Sequence, residues 1–181
     1  PSVANPYFAD IASSVIEEAR HRNYTTIVLD SAESPELEKD GISSLMSRQV
    51  DGIIAVQCRG HPSHFEEINR KFIPVILIDR YFSNSMLPYI TTNNYLGGID
   101  AVNLLLMNGH TNIACIQGVV NSLPNKKRVA GYLAALDKAG IKDKALVVGN
   151  DFSIQNGYLE TKLLLNKTDR PTAIFALSNT I

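Results

Sequence analysis

The feature that most constrains this chain is a repeated change of hydrophobic period. Short apolar runs rich in branched residues alternate with longer segments whose apolar residues recur at helical spacing, and the alternation persists along the whole chain. Phe8, Ile11, Ala12, Val15, Ile16 and Ala19 make one helical stripe, and the strand-like run 25–29 follows it. Ser34 and Pro35 fit the N-cap and first position of a second helix, with Glu36 and Glu38 in its first turn. A strand over 52–56, a short helix through Phe65 and Ile68, and a strand over 75–78 continue the pattern. The polar stretch 83–92, which contains Pro88, breaks the rhythm and reads as a crossover.

A second series then begins with a helix from about 98 to 107, stopped by Asn108-Gly109. A strand over 113–117, a helix from about 127 to 139 closed by Gly140, and a strand over 146–148 come next. A helix capped by Ser153 and running through Tyr158 and Leu165 leads to the last strand, 173–176. Short connections in a strand–helix alternation build right-handed βαβ units and a mainly parallel sheet. The expected architecture is α/β in two lobes, 1–92 and 93–181.

Composition narrows the function. The 181 residues are 45% hydrophobic and 19% charged, which supports a packed core and argues against disorder. Net charge is -1 and the tightest basic run is Lys126-Lys127-Arg128, so the basic footprint of a domain that grips nucleic acid by itself is missing. Cys58 and Cys115 lie in or beside apolar runs and read as reduced thiols acting as small hydrophobes. With no bilayer-length apolar run and no secretory leader, a cytoplasmic protein without a membrane partner is expected. His21, His61, His64 and His110 are scattered, so no metal is expected, and His110 reads as a residue interacting with helix-end carbonyls. A nucleophile elbow, a Walker phosphate loop and a dinucleotide fingerprint are all missing, so neither enzymatic chemistry nor a cofactor is expected.

Open α/β sheets bind ligands beyond the carboxyl ends of their strands. The junctions there carry Asn5-Pro6-Tyr7-Phe8, Asp79-Arg80, Asn93-Asn94, Gln117-Gly118, Asp151-Phe152 and Ser178-Asn179. Aromatic and hydrogen-bonding groups gathered in this way suit a small polar ligand, with a sugar as the expectation. Arg128 offers paired donors in fixed geometry; beside Lys126 and Lys127 it also fits a solvated surface residue. Tyr7 lies off the apolar stripe and is the pocket candidate, whereas Phe8 continues the stripe into the core. Asn5 and Pro6 are expected to shape the turn and line the floor. Asp79 either accepts from ligand hydroxyls, pairs with Arg80 or caps a turn. Phe152 either offers its ring face to a sugar or packs under the lobe edge.

Several segments, in order and at matching spacing, carry a family resemblance: Asn5-Pro6-Tyr7-Phe8-Ala9-Asp10, Val50-Asp51-Gly52-Ile53-Ile54, Ile73-Pro74-Val75-Ile76-Leu77-Ile78-Asp79-Arg80, Asn108-Gly109-His110, Arg128-Val129-Ala130-Gly131-Tyr132, Gly149-Asn150-Asp151-Phe152 and Arg170-Pro171-Thr172-Ala173-Ile174-Phe175-Ala176. Over nearly its whole length the chain resembles the effector-binding core of the lactose-repressor (LacI/GalR) family of bacterial transcription regulators. The resemblance implies a periplasmic-binding-protein-like fold, two doubly wound parallel-sheet lobes with an effector clamped between them. The family core continues past the position of Ile181, so the second lobe is expected to be incomplete.

By the same resemblance, the partners are a small-molecule effector, a sugar or sugar phosphate, and operator DNA. The DNA is read through a helix-turn-helix absent from this chain, in a homodimer whose candidate surfaces are the helices near 11–19 and 36–48. Arg128 matches the arginine that reaches the effector, Phe152 an aromatic placed against it, and Asn179 an asparagine that partners hydroxyls. Two departures stand out: Asn93 occupies a place where the family often has Asp, and Thr180 replaces a usual acidic residue. The implied mechanism is allosteric, with effector-driven lobe closure changing how the dimer presents its DNA readers. The alternative is a periplasmic sugar-binding protein of a transport system. Asn108-Gly109-His110, Arg128-x-x-Gly131-Tyr132 and the free cysteines side with the regulator.

Overall fold

The computed structural model describes residues 2–58, 61–71 and 73–181. The chain divides into two compact units, Pro1–Thr91 and Thr92–Ile181, each built on a parallel three-stranded sheet.

In the first unit, helix α1 (Pro6–His21) starts where the Asn5 side chain accepts from the Tyr7 N–H and Pro6 fills the first turn. Helix α2 (Pro35–Ser47) is capped by Ser34, whose hydroxyl accepts from Leu37, with Glu36 and Glu38 in its first turn. Strand β1 (Ile53–Ala55), helix α3 (Ser63–Arg70), strand β2 (Val75–Ile78) and strand β3 (Tyr89–Ile90) complete the unit, in the sheet order β1-β2-β3. Ile53, Phe65, Ile68, Val75, Leu77 and Leu87 form its core, with Ile42, Leu45 and Met46 of α2 packed against them.

Two expectations fail here, each for a hydrogen-bonding reason. The run 25–29 is not a strand: no neighbour among the described residues pairs with it. A strand exists only through its ladder, and Ile27, Val28 and Leu29 stay 43–47% exposed. Conversely, the stretch expected to be irregular contains β3. Pro88 contributes only its carbonyl, which accepts from Leu77, and Ile90 accepts from Asp79; one-sided pairing of this kind is what a proline tolerates at a sheet edge. Tyr81 stacks on Tyr89 of β3, ring centres 4.0 Å apart.

The second unit runs α4 (Asn94–Met107), β4 (Ile113–Ile116), α5 (Leu123–Lys138), a 3₁₀ turn (Lys142–Lys144), β5 (Leu146–Val148), α6 (Ile154–Leu165) and β6 (Ala173–Ala176). Its sheet order is β5-β4-β6, and every residue of the central strand β4 is buried. Val102, Ile113, Cys115, Tyr132, Ala135, Leu136 and Leu177 form one core; Ala114, Ile116 and Leu164 form a second. Both α4 and α5 begin four residues earlier than their apolar periodicity suggests, because the Asn93 side chain caps α4 and Pro124 enters the first turn of α5.

At the α4–α5 crossing a Cβ on Gly131 would stand 2.3 Å from the Tyr95 carbonyl oxygen, and one on Gly98 would stand 2.6 Å from that of Arg128. Only glycine permits this approach. His110 differs from expectation: its backbone N–H serves the end of α4, but its ring pairs with the Thr172 hydroxyl at 3.1 Å.

Candidate functional site

Two clusters lie at carboxyl ends of strands, one in each unit. In the second unit a cavity of about 390 Å³ is lined by Asn93, Asn94, Gly97, Arg128, Ser178 and Asn179, among others. Arg128 rises from the first turns of α5. Its Nε donates to Asn94 Oδ1 at 2.7 Å and its Nη1 to the Leu177 carbonyl at 2.5 Å. Both acceptors are neutral, and among the described residues no carboxylate lines the cavity. The guanidinium is therefore held in a fixed pose with its charge uncompensated by the walls. Asn93 uses its Oδ1 to cap α4, which commits the carbonyl side of that amide to the helix.

Phe152, also in this unit, is not among the cavity's lining residues. Its ring lies against Gly118, just past the end of β4. The network beside it was not foreseen. Asn125, 1% exposed, accepts from the Gly118 N–H at 2.9 Å and donates to Gln117 Oε1 at 3.1 Å. Asn156 donates to the carbonyls of Gln117 and Asp151.

In the first unit Asp79, 6% exposed, ends β2 in a left-handed conformation with φ of 65°. Such a backbone costs on the order of 1 kcal/mol and is tolerated by Asp better than by most residues. Tyr7 donates its hydroxyl to Asp79 Oδ1 at 3.3 Å, so Asn5, Pro6, Tyr7 and Asp79 do assemble here. Asn5 spends its side-chain oxygen as a helix cap. Arg80 pairs mainly elsewhere. Its Nη1 and Nη2 donate to the two Glu33 oxygens at 2.7 and 2.8 Å, while its Nε is 3.9 Å from Asp79. Burial alone would lower the Arg80 pKa; the Glu33 hydrogen bonds and charge, with Asp79, raise it above its usual value. Phe8 lies under the guanidinium, 5.7 Å from ring centre to Cζ.

Sequence reasoning missed Glu33, Gln57 and Asn125, and named Asn94 only as part of a strand-end junction. Asn94 was within reach, as the neighbour of a residue already singled out. Glu33 meets Arg80 from 47 positions away, and nothing local announces that pairing. Among the described residues no group of three or more His, Cys, Asp or Glu side chains is placed to hold a metal, and no helix is long and apolar enough to cross a membrane.

Parallel α/β units of this kind, with polar groups at the strand ends, place the molecule in the periplasmic-binding-protein-like class of folds. The whole chain, residues 1–181, matches the family described as periplasmic binding proteins and the sugar binding domain of the LacI family, and the chain belongs to that family. It is 31% identical to the HTH-type transcriptional regulator DegA of Bacillus subtilis, an alignment covering 100% of this chain and 55% of that protein. A probable LacI family transcriptional regulator from Corynebacterium glutamicum superposes with a TM-score of 0.90 at 27% identity, covering 99% of this chain and 68% of the other. A LacI family transcriptional regulator from Enterococcus faecium, solved with bound ribose, gives a TM-score of 0.84 at 27% identity, with 99% and 65% covered. The chain spans about half the length of the curated relatives it matches.

Proposed function

We propose that this chain is the effector-sensing core of a bacterial LacI-type transcription regulator, and that its effector is a sugar or sugar phosphate. The observation that carries this reading is Arg128. It is a guanidinium fixed by Asn94 and the Leu177 carbonyl at the wall of a cavity that sets amide and hydroxyl groups beside Phe175, Ala176 and Leu177, with no carboxylate among its described lining residues. Such a wall offers donors to hydroxyls and a positive charge to a phosphate. The ribose-bound relative supports a sugar in a fold of this kind.

In the proposed mechanism the effector binds two arrangements of the protein with different affinity and so shifts their equilibrium. The shift changes how a homodimer, associating through α1 and α2, presents helix-turn-helix readers to operator DNA. The protein acts in the cytoplasm, as a sensor and not as an enzyme. Asn5, Pro6, Tyr7, Asp79, Asn93, Arg128, Phe152 and Asn179 remain its proposed effector residues.

The test is thermal stabilisation of the complete regulator by ribose, other sugars and their phosphates, with Arg128→Ala beside it. Protection of the parent that disappears in the variant supports the reading. Protection by none of these compounds refutes the sugar assignment, and equal protection of both proteins refutes the role given to Arg128.

A further inference from the structure

Helix α5, which carries Arg128, starts without a side-chain cap: the Ser122 side chain, at the N-cap position, makes no hydrogen bond to the helix. Asn5, Ser34, Asn93 and Ser153 do cap α1, α2, α4 and α6. What holds the start of α5 is Asn125, in its first turn and 1% exposed. Its Oδ1 accepts from the Gly118 N–H at 2.9 Å, and its Nδ2 donates to Gln117 Oε1 at 3.1 Å. Both bonds run to the turn just beyond β4, the buried central strand. The helix is therefore hung from a strand end and not from its own cap.

Gln117 is itself held in place. Its N–H donates to the Val148 carbonyl of β5 at 2.8 Å, and its carbonyl accepts from Asn156 Nδ2 at 3.2 Å. The Asn125 amide has one workable orientation, because turning it over would set its NH₂ against the Gly118 N–H and leave buried polar atoms unpaired. Arg128 follows one turn later on α5. Its bonds to Asn94 Oδ1 and the Leu177 carbonyl form only if the helix backbone stands at the right distance from both. Binding groups work when they are held to within roughly 0.5 Å of the productive geometry, so a rigid tether at the start of the helix bears directly on where the guanidinium stands. Asn125 is not among the residues lining the cavity.

We infer that Asn125 is a positioning residue of the effector site: through α5 it sets where Arg128 presents its guanidinium, without touching the effector itself. The inference rests on the effector-sensing function proposed above and adds a residue outside the cavity to it. An amide that served stability alone would leave Arg128 no more affected than other buried hydrogen bonds of the same helix do. Tyr132 supplies that comparison, since its hydroxyl on α5 is buried and bonded to Ile113 and Leu146, away from the Gln117-Gly118 turn.

The experiment uses the complete regulator carrying isotopically labelled arginine, with D-ribose, D-glucose, D-fructose, D-galactose and their phosphates as probes. The Arg128 Nε–H signal, identified by its loss in Arg128→Lys, reports the bond to Asn94 before any ligand is added. In Asn125→Ala that signal should move toward those of solvated arginines and exchange faster. The protecting sugar should bind about tenfold more weakly, the scale of one neutral hydrogen bond. Tyr132→Phe should melt earlier yet change neither the signal nor the affinity. An unmoved signal in Asn125→Ala, or an equal movement in Tyr132→Phe, assigns Asn125 to structure and overturns the inference. A moved signal at unchanged affinity overturns it too, because the position of Arg128 would then not govern binding. If Asn125→Ala does not fold, Gln117→Met, which removes the acceptor of the Asn125 NH₂ at similar length, is read in the same way, and an unmoved signal there overturns the inference. A parent protected by none of the probes brings down the sugar-sensing function, while the Arg128 signal still decides whether Asn125 positions that side chain.

Discussion

The Phe152 ring fills the space that a side chain on Gly118 would need: a Cβ built there stands 2.0 Å from ring carbon Cε1. The glycine is also tied through its N–H to the buried Asn125 amide. The strand-end turn after β4, the first turn of α5 and the turn before α6 are thereby interlocked. Gly118→Ala should force the ring out at a cost of about 1–3 kcal/mol, the usual range for overpacking. Chemical denaturation measures the loss. A variant as stable as the parent would show that the ring has room to move and is not seated by this contact.

The α4–α5 crossing gives a sharper test, because its glycines face backbone. A methyl at Gly131 would meet the Tyr95 carbonyl oxygen at 2.3 Å, and no rotamer change relieves that. Gly97, on the same helix α4, has nothing within 4 Å of its would-be Cβ. In an open helical position Gly→Ala stabilises by roughly 0.5–1 kcal/mol. Gly97→Ala should therefore raise the melting temperature, whereas Gly131→Ala should lower it and loosen Arg128, one turn earlier on α5. Melting curves of the two variants check the opposite signs, and a stabilised Gly131→Ala would mean that the helices cross further apart than described.

These glycines also mark how far the sequence could be read. Periodicity placed the helices and most of the strands, because burial on one face leaves its mark residue by residue. It failed at 25–29, whose composition is that of a strand but whose ladder partner is not among the described residues. It failed again at Tyr89-Ile90, two residues too few to show any period. Cap chemistry was legible at Ser34 and Ser153, since one side chain and one nearby N–H make the whole interaction. The candidate sites were legible only as strand-end positions. That Asn93 would spend its oxygen on α4, or that Glu33 would capture Arg80, depends on contacts that no local pattern encodes.

Tyr132, fully buried on α5, joins two strands through one hydroxyl. The hydroxyl donates to the Ile113 carbonyl at 2.8 Å and accepts from the Leu146 N–H at 2.9 Å. Tyr132→Phe leaves that interior N–H and carbonyl short of a partner at nearly constant volume, so the cost is one of desolvation and not of packing. A loss of about 1–3 kcal/mol is expected, which for a unit of this size corresponds to a melting temperature lower by roughly 4 °C or more. Amide exchange at Leu146 should accelerate relative to the rest of β5. Unchanged protection there would show that the N–H does not depend on the phenol.

Both thiols are free and buried, and burial raises both pKa values, that of Cys115 to about 12 from an ordinary 9.0. A thiol whose folded pKa lies above its unfolded one adds stability that is fully present below the unfolded value. That contribution is lost as pH rises through the folded one. Cys115 therefore leaves stability untouched at neutral pH and erodes it between about pH 9 and pH 12, where the unfolded chain ionises and the folded chain resists. The thiolate is the reactive species, so a thiol-reactive disulfide reagent at pH 8 should find no fast-reacting group in the native protein and two after denaturation. Urea midpoints should stay level up to pH 9 and fall above it, and Cys115→Ala should flatten that fall. A thiol that labels rapidly in the native state would contradict the burial on which the argument depends.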